Sequence, residues 1–217
     1  TYSPLYQLGL KMKFVDIDLH TLNVDAHELA SAATEKTKLI MPINILGNPC
    51  PWDDILRIQN KHSCYVLEDN CESLGSQYGS QKCGSFGDLS THSFFFAHHI
   101  TTGEGGMITT DSEELYQICL MLRSHGWTRD LPKDDSRKKT NGDFEDDEYR
   151  FLLPGFNLRP TELVASAGRR QLQKVDSIMY QRRKNAEYFI SLFADFNELI
   201  IPQTLGESSW YSFPIVI

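Results

Sequence analysis

The chain has 217 residues, 41% of them apolar and 23% charged, a composition that fits one packed core and excludes a disordered polypeptide. Its 21 basic and 29 acidic residues leave a net charge of −8, and no cluster of lysine or arginine interleaved with aromatics marks a nucleic-acid surface. Five scattered cysteines, Cys50, Cys64, Cys71, Cys83 and Cys119, lack CxxC spacing, which argues against a disulfide framework or zinc site and for a reducing cytoplasm; no apolar run approaches the ~20 residues of a membrane helix.

Residues 13–18 read as a short strand, and Asp25 with Glu28 three positions on opens a helix to about residue 34 as a capping box. Residues 39–46 are an apolar, β-rich run broken by Gly47-Asn48-Pro49, residues 52–60 have helical spacing, and Tyr65-Val66-Leu67-Glu68-Asp69 is a compact strand ending in two carboxylates. This alternation predicts an α/β layer with a largely parallel sheet, whose ligands sit at the carboxyl ends of the strands. Asp69 lies at such an end. Further strands are expected over 89–96 and 107–110, and a helix over 111–124 capped by Asp111 or Ser112. Residues 131–148 are nearly all charged or polar and read as a mobile surface loop of the kind that serves as a lid. Pro160 suits a helix's first turn, and 161–174 and 177–193 read as two helices. With no initiator methionine, and an end inside the apolar run 213–217, the sequence reads as a fragment of a longer protein.

Four segments carry chemistry. A carboxylate at the end of a buried strand needs a cation, and Asp69 could hold a protonated pyridine nitrogen or merely cap a turn. The turn Gly84-Ser85-Phe86-Gly87-Asp88, with Ser93 after it, offers amides and a hydroxyl to a phosphate, although such turns are common. His98 and His99 precede a Gly103 to Gly106 turn that implies close backbone approach by a ligand. An imidazole moves protons near neutral pH; as adjacent residues the two histidines point apart and do not suit one metal ion with Glu104. In His125-Gly126-Trp127-Thr128-Arg129-Asp130, Arg129 could bind a phosphate or carboxylate bidentately, or simply pack on the tryptophan.

From Tyr2 to the end, the sequence resembles the DegT/DnrJ/EryC1 family of sugar aminotransferases, a branch of the fold-type I pyridoxal phosphate enzymes. The motifs that carry the resemblance are Phe14-Val15-Asp16-Ile17-Asp18, Asn44-Ile45-Leu46-Gly47-Asn48-Pro49, Glu68-Asp69-Asn70-Cys71-Glu72-Ser73, His125-Gly126-Trp127-Thr128-Arg129 and Leu153-Pro154-Gly155-Phe156-Asn157-Leu158-Arg159-Pro160. In the family's aminotransferases the position of His98 is a Schiff-base lysine; in its sugar 3-dehydratases it is histidine, as here. The resemblance implies an aspartate-aminotransferase-like α/β large domain over 1–175, lacking its N-terminal part, and the linking helix and start of a small C-terminal domain over 176–217. It implies pyridoxal or pyridoxamine 5'-phosphate as cofactor, with Asp69 at the pyridine nitrogen, Glu72 beside the ring hydroxyl and Ser93 at the phosphate. Asn157 would reach the phosphate of a neighbouring subunit, which implies a homodimer with shared sites. His125, Arg129 and Tyr149 fall at substrate positions, Tyr149 in place of an aromatic of another type. The implied reaction removes the C3 hydroxyl of a nucleotide-linked 4-keto-6-deoxy sugar, with His98 as the proton-moving residue and L-glutamate as amino donor, in deoxysugar and O-antigen biosynthesis.

Three rivals fit less well. A sugar 4-aminotransferase would need lysine at position 98. An iron-sulfur-dependent relative would need a cysteine-rich run, and no cysteine occurs from residue 125 to 217. A sensor without catalysis would have no need to keep Trp127, Arg129 and Asn157 together.

Overall fold

The computed structural model describes residues 1–138 and 149–217, which form two compact units, Thr1–Thr109 with Val164–Ile217, and Thr110–Leu163. In the first unit a short helix, α1 (Ser3–Gln7), carries Pro4 in its first turn, where proline is tolerated. The segment expected as a strand over 13–18 makes only an isolated bridge, Ile17 to Val24; Val15 packs against the core, while Phe14 and Ile17 stay 70% and 46% exposed. Helix α2 (Ala26–Ala32) forms half of the expected capping box: the Asp25 carboxylate accepts from the amides of His27 and Glu28 at 2.8 and 2.9 Å, but Asp25 N donates to Asp16 O at 3.0 Å rather than to Glu28.

The apolar run after it yields a strand of only two residues, β1 (Leu39–Ile40). Pro42 has no N–H to give a ladder, although its carbonyl still accepts from Asp69 N at 2.9 Å, and residues Ile45–Gly47 turn into a single 3-10 turn. Helix α3 (Trp52–His62) follows, ending on Ser63 in the left-handed region. Its Trp52, Ile55 and Ile58, on one face at helical spacing, are buried against Leu29, Ile40, Cys50, Cys64 and Val66, and Phe86 stacks on Trp52 at 4.7 Å and 8°.

Strand β2 (Tyr65–Asp69) is central, and a small hairpin, β3 (Gln77–Tyr78) and β4 (Gln81–Lys82), unforeseen in the sequence, precedes β5 (Leu89–Ser93) and β6 (Gly106–Thr109). The four-stranded sheet has the order β1-β2-β5-β6. The first three strands are parallel, with Asp69 opposite Thr91, and β6 is antiparallel to β5, with Gly106 opposite Ser93. The cysteines are free and serve as small apolar groups; burial pushes the Cys83 thiol up to about 12.

The second unit contains α4 (Glu113–Leu122), capped by Ser112, whose Oγ accepts from Leu115 N at 3.3 Å. A 3-10 turn, Ser136–Lys138, opens the polar segment, and the rest of the expected loop, 139–148, lies outside the described residues. Helix α5 (Glu162–Leu172) starts two residues after Pro160; from Val164 on the chain belongs to the first unit again, with α6 (Val175–Phe193) following almost without a break.

Candidate functional site

In the first unit the site is built at the carboxyl end of β2. Glu68, with no exposed surface, accepts four hydrogen bonds: from Asn44 Nδ2 at 2.8 Å, Gly84 N at 2.6 Å, Phe86 N at 3.0 Å and Ser90 Oγ at 2.8 Å. The turn expected to offer its amides to a phosphate has therefore committed those of Gly84 and Phe86 to this carboxylate. A Cβ on Gly84, at φ +94, would sit 2.5 Å from His92 Cε1, so the turn tolerates only glycine there.

Asp69, 6% exposed, accepts from Thr1 Oγ1 at 2.7 Å and from Cys71 N at 3.1 Å, and forms no ion pair among the described residues. A buried carboxylate without a cationic partner suits a positively charged ring nitrogen. Burial, reinforced by the Asp69 hydrogen bond, pushes the neighbouring Cys71 thiol up to about 12. The Glu72 carboxylate accepts from Leu46 N at 2.8 Å, which holds the 3-10 turn, where Leu46 has φ 52.

Ser93 ends β5, and its Oγ accepts from Phe95 N at 3.3 Å. Residues 94–105 then form a loop closed at its neck: Phe94 N donates to Gly105 O at 2.8 Å and Thr102 N to Phe94 O at 2.9 Å. His98 lies inside this loop, its own N–H turned back onto Phe95 O at 3.0 Å. Its Nδ1 is buried without a hydrogen-bond partner among the described residues. His99 points into the protein, 4% exposed, with the Ser209 main chain beside its ring. Burial, then the positive charge of Arg182, lowers its pKa to about 4. The two imidazoles share a neighbour that sequence reasoning missed, the Tyr211 ring, 5.2 Å from His98 and 5.6 Å from His99 between centroids. No local pattern ties residue 211 to residue 98, so only the fold reveals it. Among the described residues, no three His, Cys, Asp or Glu side chains converge as metal ligands.

The second unit gathers the other expected positions around one turn. His125 and Gly126 have φ of 63° and 85°. A Cβ on Gly126 would collide with Leu153 O, and one on Gly155 with Gly126 N, so the two glycines let these backbone segments touch. His125 N donates to Phe156 O at 2.8 Å, and Ser124 bridges Asn157. Trp127 carries the Arg129 guanidinium 4.3 Å above its ring and stacks with Tyr149 at 5.6 Å and 14°. His125, Arg129, Tyr149 and Asn157 are exposed, and the Asn157 Oδ1 accepts from Arg159 Nη2 at 3.4 Å.

A mixed, mainly parallel β-sheet with an aspartate at a strand end and a closed histidine loop on the next strand has the architecture of the aminotransferase-like large domain. The chain belongs to the DegT/DnrJ/EryC1/StrS aminotransferase family, which matches residues 1–217. It is 47% identical over 221 residues to GDP-4-keto-6-deoxy-D-mannose 3-dehydratase of Escherichia coli O55:H7, covering 100% of this chain and 56% of that relative. A crystal structure of the E. coli GDP-4-keto-6-deoxy-D-mannose-3-dehydratase with bound hydrated PLP superposes with a TM-score of 0.93 at 47% identity, over 100% of this chain and 56% of that one. A mutant of GDP-4-keto-6-deoxymannose-3-dehydratase with bound GDP-perosamine superposes with a TM-score of 0.93 at 46% identity, over the same shares. The chain thus spans about half the length of the relatives it matches.

Proposed function

We propose that this chain supplies the cofactor pocket and catalytic histidine of a pyridoxal phosphate-dependent nucleotide-sugar 3-dehydratase that removes the C3 hydroxyl of GDP-4-keto-6-deoxy-D-mannose or a close analogue. The observation that carries the reading is His98: an imidazole, not an amine, lies on the closed loop after β5, in a chain 47% identical to a 3-dehydratase. Pyridoxal or pyridoxamine phosphate, when bound, supplies an electron sink adjacent to the sugar carbon that loses oxygen.

The chain's residues do the rest. Asp69 balances the charge of the ring nitrogen, Glu72 lies beside the ring hydroxyl, and Ser93 gives its hydroxyl to the phosphate. His98, with Nδ1 sealed in the protein, takes and returns a proton at Nε2 as the C3 oxygen leaves as water. An imidazole can act as both base and acid near neutral pH, where a lysine amine would stay protonated. His125, Arg129 and Tyr149 bind the nucleotide sugar, with the Arg129 fork suited to its diphosphate. L-Glutamate re-aminates the cofactor.

The same reading makes the enzyme a cytoplasmic homodimer in which Asn157 reaches the partner's phosphate site. The exposure of Phe156 and Leu158 on either side of it, 61% and 67%, supports a protein contact there. The large domain covers 1–175, and 176–217 leads into the small domain. No helix among the described residues is long and apolar enough to cross a membrane.

The test incubates the complete protein with GDP-4-keto-6-deoxy-D-mannose, pyridoxal phosphate and L-glutamate and reads the sugar by mass spectrometry. Loss of the C3 oxygen with ammonia release is expected. Gain of nitrogen with that oxygen retained would make the protein an aminotransferase and overturn the role of His98.

A further inference from the structure

The surroundings of His98 lack the partner that a proton-carrying histidine ordinarily has. In Ser-His-Asp sites a carboxylate receives the second ring N–H and stabilises the imidazolium. Here Nδ1 is buried with no hydrogen-bond partner among the described residues, so when Nε2 takes a proton, none of them accepts from the cation on its inner side. The group that does meet the ring is aromatic. Tyr211 has its centroid 5.2 Å from that of His98 with the planes tilted by 38°, within the ~6 Å at which a cation gains from a π-face.

Tyr211 is held there from several sides. Its N–H donates to Leu46 O at 3.0 Å, the same Leu46 whose own N–H is held by Glu72. Arg182, from α6, donates to the carbonyls of Trp210 and Tyr211 at 3.1 and 2.8 Å and has its guanidinium 6.0 Å from the Tyr211 ring. The Gly47 carbonyl accepts from Ser208 Oγ at 2.9 Å and Ser209 N at 3.2 Å, and a Cβ on Gly47 would sit 2.6 Å from Trp210 N. Residues 208–211 are thus locked on the Gly47 turn, and the loop carrying His98 is closed at its neck. Both ends of the ring contact are fixed by main chain.

We propose that Tyr211 is a positioning residue for His98: its ring sets the imidazole so that Nε2 faces the reacting sugar, and its π-face stabilises the protonated form. The inference rests on the reading of His98 as the proton-moving residue. The titratable and charged groups around the pair are His99 on the same loop, the Tyr211 phenol and Arg182. Because burial keeps His99 uncharged near neutral pH, it does not compete for the proton.

The experiment compares Tyr211→Phe and Tyr211→Leu in the complete, cofactor-loaded protein, with steady-state kinetics and, on cofactor-free protein labelled with [15N]histidine, NMR titration of the His98 ring. Tyr211→Leu is expected to lower kcat roughly three- to thirty-fold with KM changed less than about twofold, and to lower the His98 midpoint by about 0.4 to 1.5 pH units. Tyr211→Phe is expected to retain both. An unchanged rate and midpoint in Tyr211→Leu would overturn the proposal, as would a Tyr211→Phe variant as impaired as Tyr211→Leu, since that would make the hydroxyl the acting group. If Tyr211→Leu fails to fold, NOEs between the ring protons of His98 and Tyr211 in the wild type decide: their presence supports the proposal and their absence overturns it. Should the midpoints move as expected while no 3-deoxy sugar is made, the positioning role stands and the dehydratase reading falls.

Discussion

Replacing Glu68 by glutamine would test whether the floor of the site is held by a carboxylate or merely by a polar side chain of the right shape. Glutamine can keep one oxygen where Oε1 accepts from Asn44 Nδ2 and Gly84 N, but its NH2 then faces Phe86 N and Ser90 Oγ. The serine hydroxyl can rotate to accept. The Phe86 amide cannot, and a buried donor left facing another donor costs about 1–3 kcal/mol. The remaining bonds lose charge assistance, worth about 1 kcal/mol each, while removal of a buried charge relieves part of its desolvation. The net loss is about 2–4 kcal/mol, or roughly 5–15 °C in Tm for a domain of this size. Equilibrium urea denaturation of the complete protein followed by tryptophan fluorescence would measure it. Glu68→Ala leaves the Gly84 and Phe86 amides and the Ser90 hydroxyl without this acceptor, while Asn44 Nδ2 keeps its bond to Asn70 Oδ1 at 3.3 Å; at ~1–3 kcal/mol each the loss is about 3–9 kcal/mol, comparable with the whole stability of a domain, and the variant is expected not to fold. A Glu68→Gln variant within ~0.5 kcal/mol of wild type would refute the reasoning, because two backbone amides could not then depend on an acceptor at both oxygens.

His98→Lys is expected to abolish 3-dehydration and to hold the cofactor by a covalent bond that borohydride makes permanent, read as added mass on the protein; retained dehydratase activity would remove His98 from its role. Gly126→Ala places a Cβ on Leu153 O in a backbone at φ +85, so the second unit is expected to lose at least ~2 kcal/mol, measured by denaturation. His99 binds its proton less readily folded than unfolded, so the unfolded state holds more protons between pH ~6.5 and about 4, and stability falls with acidification through that window. The full loss is on the order of 3 kcal/mol below pH ~4, with no further contribution beneath it; His99→Phe is expected to flatten the denaturation midpoint over the same range, and an unchanged pH profile would count against a buried neutral imidazole.

Where one short stretch decides its own conformation, the sequence was readable. Asp25 caps α2, the periodic Trp52, Ile55 and Ile58 build the core face of α3, and Tyr65 to Asp69 form the central strand with a carboxylate at its end. Elements that depend on a neighbour were not. Residues 13–18 have strand-like composition, yet strand pairing needs a partner edge, and only the single Ile17–Val24 bridge forms. The run from 39 to 46 looked continuous, but Pro42 and the turn at Leu46 stop the ladder after Ile40. The candidate site divides in the same way. Asp69, Glu72, Ser93 and His98 lie in the first unit, and His125, Arg129, Tyr149 and Asn157 around one turn of the second, while Tyr211 and Arg182 carry no local signal. Glu68 was visible as a residue, but its four donors come from three separate segments.

The Gly47 carbonyl accepts from Ser76 Oγ as well as from Ser208 Oγ and Ser209 N, and the Asn48 side chain donates to Gln203 O while accepting from Leu205 N. These bonds give the unit an order of assembly. On the ribosome, the sheet and the histidine loop emerge long before residues 203–211, so the inner wall beside His98 stays open until the distant segment arrives. A nascent chain stalled before that segment would leave the Gly47 carbonyl without Ser208 and Ser209, and the His98 ring without the Tyr211 ring beside it.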